Sequence, residues 1–128
     1  MTLEEALYAY LSVDAGLVAL IGTRVYPIAL PQTPTLPAVT YMRVSAPTLQ
    51  DFSGTVKRMA RVQFDAWATS YDVAHQVNDA LIAALDNYSG LMGGVGGVQC
   101  DVTLMTDQDL SDPETAWKRV LSEYEIWY

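Results

Sequence analysis

The chain of 128 residues has one cysteine and one histidine, Cys100 and His75. A single cysteine cannot close an intrachain disulfide, which excludes a small secreted fold held together by bridges. A single histidine leaves any imidazole chemistry, and any metal site built from several histidines, with one residue to draw on. Basic residues are scarce as well: seven Lys and Arg stand against fifteen Asp and Glu, for a formal net charge of -8. Proteins grip nucleic acid by displacing counterions from phosphates with Lys and Arg, so specific nucleic-acid binding is not expected. Long hydrophobic runs are missing too. Runs such as Leu17 to Ile21 fall far short of the ~20 residues that cross a bilayer, so no membrane partner is expected. The opening Met1-Thr2-Leu3-Glu4-Glu5 is acidic where a signal peptide would be basic, which points to synthesis in a cytoplasm-like compartment.

What is present describes a well-packed body. Hydrophobic residues make up 51% and charged residues 17%, which excludes a disordered chain. The length suits a single domain spanning residues 1–128. Eight Tyr and three Trp exceed what one core needs, and these residues concentrate where proteins touch one another. The charge is divided unevenly. Residues 1–64 hold Glu4, Glu5, Asp14 and Asp51 against five bases, a sum of +1, whereas residues 65–128 hold eleven acids against Lys118 and Arg119, a sum of -9. Solubility is the simplest account of the acidity, and an acidic wall would also let DNA slide past without being held.

The periodicities predict an α+β fold: a mixed, mainly antiparallel sheet with helices packed on one face. Thr2 and Glu5 form a capping box ahead of Leu3, Leu7, Tyr10 and Leu11 at helical spacing. Asp14 caps a second short helix that Gly22 ends, and the pair is expected to fold as a helical hairpin. Arg24 to Ile28 reads as a short strand, after which Pro27, Pro31, Pro34 and Pro37 keep the chain extended. Strands are expected over Ala38 to Ser45 and Val56 to Ala68. In the latter, Ala60, Val62, Phe64 and Ala66 alternate with Arg61, Gln63 and Asp65. Ala46 to Thr55 between them reads as an exposed loop whose Leu49 and Phe52 either meet a partner or fold back onto the core. A helix from Ser70 to about Asn87 follows, then glycine turns at 90–97 around at most a very short strand. Two strands close the chain around Val98 to Leu104 and Arg119 to Ile126, joined by an acidic loop from Asp107 to Glu114. There is no internal repeat, linker or low-complexity tract.

None of the residue groups that suggest chemistry completes a site. Asp72, His75 and Asp79 share one helix face and could approach one ion, but an exposed polar face explains them and zinc wants more Cys or His. Cys100 falls on the apolar side of its strand, where a thiol is inert, so pairing it with His75 as nucleophile and base is disfavoured. Gly93-Gly94-Val95-Gly96-Gly97 leads into a strand instead of a helix and lacks the lysine of a phosphate loop. Asp107, Asp109, Asp112 and Glu114 fail the calcium-loop pattern at its sixth and twelfth positions, Asp112 and Lys118. Neither cofactor nor metal nor catalytic residue is expected. Leu49, Phe52, Lys57, Arg58, Asp107, Asp109 and Asp112 are the candidates for partner contact, the basic cluster Lys57, Arg58 and Arg61 being suited to an acidic surface on a neighbouring subunit.

In order along the chain, Leu3-Glu4-Glu5-Ala6-Leu7, Asp14-Ala15-Gly16-Leu17, Gly22-Thr23-Arg24-Val25-Tyr26-Pro27, Leu36-Pro37-Ala38-Val39-Thr40-Tyr41, Arg61 to Ala68 and Glu125-Ile126-Trp127 resemble the small tail-completion, or tail-terminator, proteins of long-tailed phages and prophages. The resemblance covers nearly the whole chain; the glycine-rich turn departs from it. It implies a structural protein of the virion neck, made in the bacterial host cytoplasm. Its copies would form a ring, a hexamer among the sizes open to it. That ring would cap the tail tube, meet the head-tail connector proteins and let DNA pass through. Another neck or tube component is the nearest alternative; a small ligand-binding or enzymatic domain around Asp72, His75 and the acidic loop is the more distant one.

Overall fold

A computed structural model of the chain describes residues 1–45, 48–50, 56–111 and 116–128, with the backbone alone described at 48–50 and 56–57. Three helices, α1 (Leu3–Leu11), α2 (Ala15–Ile21) and α3 (Tyr71–Leu85), accompany seven strands. These are β1 (Val25–Pro27), β2 (Ala38–Ser45), β3 (Thr48–Gln50), β4 (Val56–Ala68), β5 (Ser89–Met92), β6 (Val98–Ser111) and β7 (Lys118–Trp127). The sheet runs β1-β2-β4-β7-β6-β5, with β3 pairing to β4 outside that path. Only β1 and β2 are parallel; every other pair is antiparallel. The α+β architecture read from the sequence is the one observed.

The helices begin where their caps dictate. Thr2 accepts from the Glu5 amide at 3.1 Å and Asp14 from the Leu17 amide at 3.1 Å, each satisfying a donor that the first turn would leave unpaired. Gly22 leaves α2 with φ 60°, a conformation that costs an L side chain more than it costs glycine. The two short helices pack on different partners, α2 against α3 and α1 against β5, so the expected hairpin gives way to two separate dockings on the sheet's covered side. The proline-bearing strand β1 sits at the sheet edge, the one place where a missing amide leaves no ladder bond unmade.

One face of the sheet carries the core. Val39, Tyr41, Val62, Phe64, Ala66, Cys100, Val102, Val120, Tyr124 and Ile126 are buried there with Leu7, Leu11, Leu17, Ile21, Val77, Leu81 and Leu85 from the helices. Phe64 stands at its centre, stacked on Tyr41 at 5.9 Å and edge-on to Tyr124 at 5.4 Å. Among the described residues no helix lies over the opposite face.

Two strand boundaries differ from the sequence reading. The span expected as a loop from Ala46 contains β3, whose register with β4 (Thr48↔Arg58) continues the pairing that β2 ends at Ser45↔Arg61. The segment Asp107 to Ser111, expected as the start of an acidic loop, is the second half of β6. A bulge between Leu104 and Thr106 explains that misreading: Leu104 opposes Tyr124, Thr106 opposes Glu123, and the inside–outside alternation inverts. At the glycine turn, β5 and β6 form a hairpin closed by Gly97 N–H donating to Gly94 O at 2.9 Å.

Candidate functional site

The residues singled out by sequence fall at two ends of the sheet. At one end, α3 starts from the Ser70 cap, whose hydroxyl accepts from the Val73 amide. Tyr71 and His75, four residues apart on one helix face, reach the distal half of β6. Asp109 accepts from Tyr71 Oη at 2.6 Å and lies 2.7 Å from His75 Nε2, with the two rings 4.4 Å apart. The Tyr71 hydroxyl, then the imidazole, hold the Asp109 carboxyl below the ordinary carboxylate range, and the same hydrogen bond pushes the Tyr71 phenol up. One turn on, Asn78 is buried and its Nδ2 donates to Asp107 Oδ2 at 3.4 Å.

This arrangement replaces the one expected for His75. Its partner is Asp109 on another element, not Asp72 or Asp79, both of which face solvent. Among the described residues no group of three or more His, Cys, Asp or Glu converges as a metal site would require. Cys100 opposes Gly90 on β5, nine strand positions from Asp109, or roughly 30 Å; the imidazole and the thiol do not meet. Burial pushes that thiol up to about 11, leaving almost none of the reactive thiolate.

At the other end, β4 outruns β2. Arg58 and Tyr128 exchange backbone bonds of 2.9 and 3.4 Å, and the exposed Arg58 guanidinium lies over the Tyr128 ring, 5.3 Å from its centroid. Lys57 is paired through its backbone with Leu49 of β3. Asp107 and Asp109 thus stand apart from Leu49, Lys57 and Arg58. Phe52 and Asp112 lie outside the described residues.

The sequence reading missed the helix-free face between these ends, where Trp67 and Trp117 meet toward one end and Trp127 stands toward the other. Trp67 Nε1 donates to Thr40 Oγ1 at 3.0 Å. Arg119 lies over the Trp67 ring and Trp117 stands edge-on to it, 6.5 Å between centroids. Trp127 Nε1 donates to Glu125 at 2.8 Å, and Arg61 pairs with Glu123 at 3.0 Å. Asp65 is 6% exposed; Gln63 donates to it at 3.0 Å and Arg119 lies 3.6 Å away. Burial pushes the Asp65 carboxyl above its ordinary range, with those two neighbours pulling it down. The signal was available, since Trp67 and Trp127 occupy the polar positions of their alternating strands. Their number was noted without their side being assigned.

Chemically, this is a surface of stacked rings and paired charges, the composition of protein contacts. The model of one family, described as tail completion protein gp17, matches residues 5–128. No curated protein sequence matches the chain. Among solved structures, a chain from the virion of a native gene transfer agent particle superposes with a TM-score of 0.81 at 18% identity, covering 98% of this chain and 92% of that one. At that identity the likeness concerns the fold.

Proposed function

The chain belongs to the tail completion protein gp17 family, and from that membership we propose that its copies form a ring that ends the tail tube of a phage-type particle. That ring joins the tube to the head connector, and DNA passes through it. The observation that carries this reading is the family match over nearly the whole chain, which leaves no room for a separate catalytic module within it. The side chains support it. His75 is spent on tying α3 to β6, Cys100 on the core, and the glycine run on a hairpin, so the lone imidazole, the lone thiol and the glycine run each have a structural task. The protein is accordingly read as non-enzymatic, with copies of itself, the tail tube protein and the connector proteins as its partners and the virion neck as its place. The excess of negative charge suits a passage for DNA that must not be gripped.

Electron microscopy of particles made without this protein tests the reading. Tubes of uncontrolled length, or finished tails detached from heads, are the expected result. Tails of normal length joined to filled heads would overturn it.

A further inference from the structure

We propose that the two oppositely charged ends of the sheet are the two halves of one contact, the Lys57–Arg58 end of one copy docking on the Asp107–Asp109 end of the next. The inference rests on the ring reading above and names the surfaces that would build the ring. Its first support is how charge maps onto topology. Between Arg61 and Lys118 the chain has nine acids and no Lys or Arg, and that span includes all of α3, β5 and β6. The bases Lys57, Arg58 and Arg61 precede it on β4, and of these Arg61 is already paired with Glu123.

The second support is distance. Strand β7 serves as a ruler, because Arg58 pairs with Tyr128 at one end and Asp109 with Val120 toward the other. Eight positions at ~3.3 Å each put ~26 Å between them along the strand. Neither end can neutralise the other within one copy.

The third support is an unmet hydrogen-bonding demand at the acidic end. Asn78 is 1% exposed, and while its Nδ2 donates to Asp107, its Oδ1 has no partner among the described residues. The exposed carboxylates of Asp107 and Asp109 stand beside it; of the two bases on β7 at this end, Arg119 is engaged by Asp65 and Trp67, and Lys118 stands opposite Ser111. A guanidinium brings five donors in a planar fork suited to carboxylates, and an ammonium brings three. Tyr71 and His75 fix Asp109 in place, while the Tyr128 ring underlies the Arg58 guanidinium, so both halves are held before they meet. Because the halves sit at different places on one chain, the contact is heterologous. Repetition of a heterologous contact closes a ring when its rotation allows, whereas a two-fold dimer would require one patch to face itself.

Carbodiimide coupling, which joins an amine directly to a carboxylate, tests the contact on the full chain. Normal and 15N-labelled protein are mixed at high concentration, coupled and digested, and the linked peptides are weighed. Links from Lys57 to Asp107 or Asp109 that carry one label from each copy are expected. Arg58→Glu should cut their yield about tenfold, and mixing that variant with Asp109→Arg protein should restore the Lys57–Asp107 link by exchanging the charges. Absence of mixed-label links at these positions, or a yield that Arg58→Glu leaves unchanged, would overturn the proposal. Rings seen by electron microscopy without such links would sink this contact and leave the ring reading standing; normal tails made without the protein would sink the ring reading itself.

Discussion

Arg119 lies over the indole of Trp67, 5.1 Å from the ring centroid, while its Nε stands 3.6 Å from Oδ1 of Asp65. One guanidinium therefore holds an aromatic ring on one side and a buried carboxylate on the other. Replacing Arg119 with Ala should lower stability by about 2 kcal/mol, most of it from leaving the Asp65 charge with Gln63 as its one remaining partner. Arg119→Lys should recover part of that loss, since it keeps the charge and gives up the planar stack. Urea unfolding midpoints of the two variants provide the measurement, and equal losses would refute the stacking role.

Two carboxyls should respond to acid in opposite directions. The Asp65 carboxyl is raised in the fold by burial, so its contribution to stability is fully present below the unfolded value of about 3.9 and is lost as pH rises through the folded value. The Asp109 carboxyl is lowered, chiefly by the Tyr71 hydroxyl, so its contribution is present above about 3.9 and is lost as pH falls through the folded value. Unfolding free energies measured from pH 3 to 7 should show each effect vanish in Asp65→Asn and Asp109→Asn respectively. A common sign for both would contradict the environments described.

The Cys100 thiol should be unreactive in the native protein at pH 8, because burial has raised it to about 11. It should react at once in urea. Cys100→Ala should assemble as the parent does, at a cost of about 1 kcal/mol for the small void. Rapid labelling of folded protein would contradict the burial.

The core's centre can be probed at Phe64, fully buried between Tyr41 and Tyr124. Phe64→Ala should cost about 3–5 kcal/mol, by lost transfer energy and by the cavity left among side chains that cannot all relax. Thermal or urea unfolding reads it directly.

In the glycine turn, two positions with the same residue should behave differently. A methyl group on Gly97 would collide with the backbone oxygens of Met92 and Gly94, whereas one on Gly94 meets nothing within 4 Å and strains only its φ of +76°. Gly94→Ala should therefore cost about 1 kcal/mol, and Gly97→Ala clearly more, with loss of protection of the β5–β6 amides in hydrogen exchange as the local sign.

Most of the architecture was legible because the strongest signals were periodic. The alternation of Ala60, Val62, Phe64 and Ala66, and of Val120, Tyr124 and Ile126, named the buried face correctly. The helical stripe of Val77, Leu81 and Leu85 did the same for α3. What was lost was lost where periodicity changes phase. Past Leu104 the bulge inverts the pattern, and aspartates that would ordinarily mark a loop turn out to be strand residues held by a helix. The partnership of His75 with Asp109 spans 34 positions, a separation that no local pattern reports. The side chosen by the tryptophans was readable from strand parity alone.

The bulge in β6 also decides which surface the acidic residues belong to. Were β6 to keep its first register past Leu104, with Met105 opposite Glu123, the chain beyond it would be turned by half a pleat. Thr106, Gln108 and Leu110 would then point at α3, and Asp107 and Asp109 would emerge among the tryptophans. Losing the Met105 codon would take out the extra residue and keep Thr106 opposite Glu123, so the negative patch would stay on the α3 side; an unbulged strand of full length is what would carry it across.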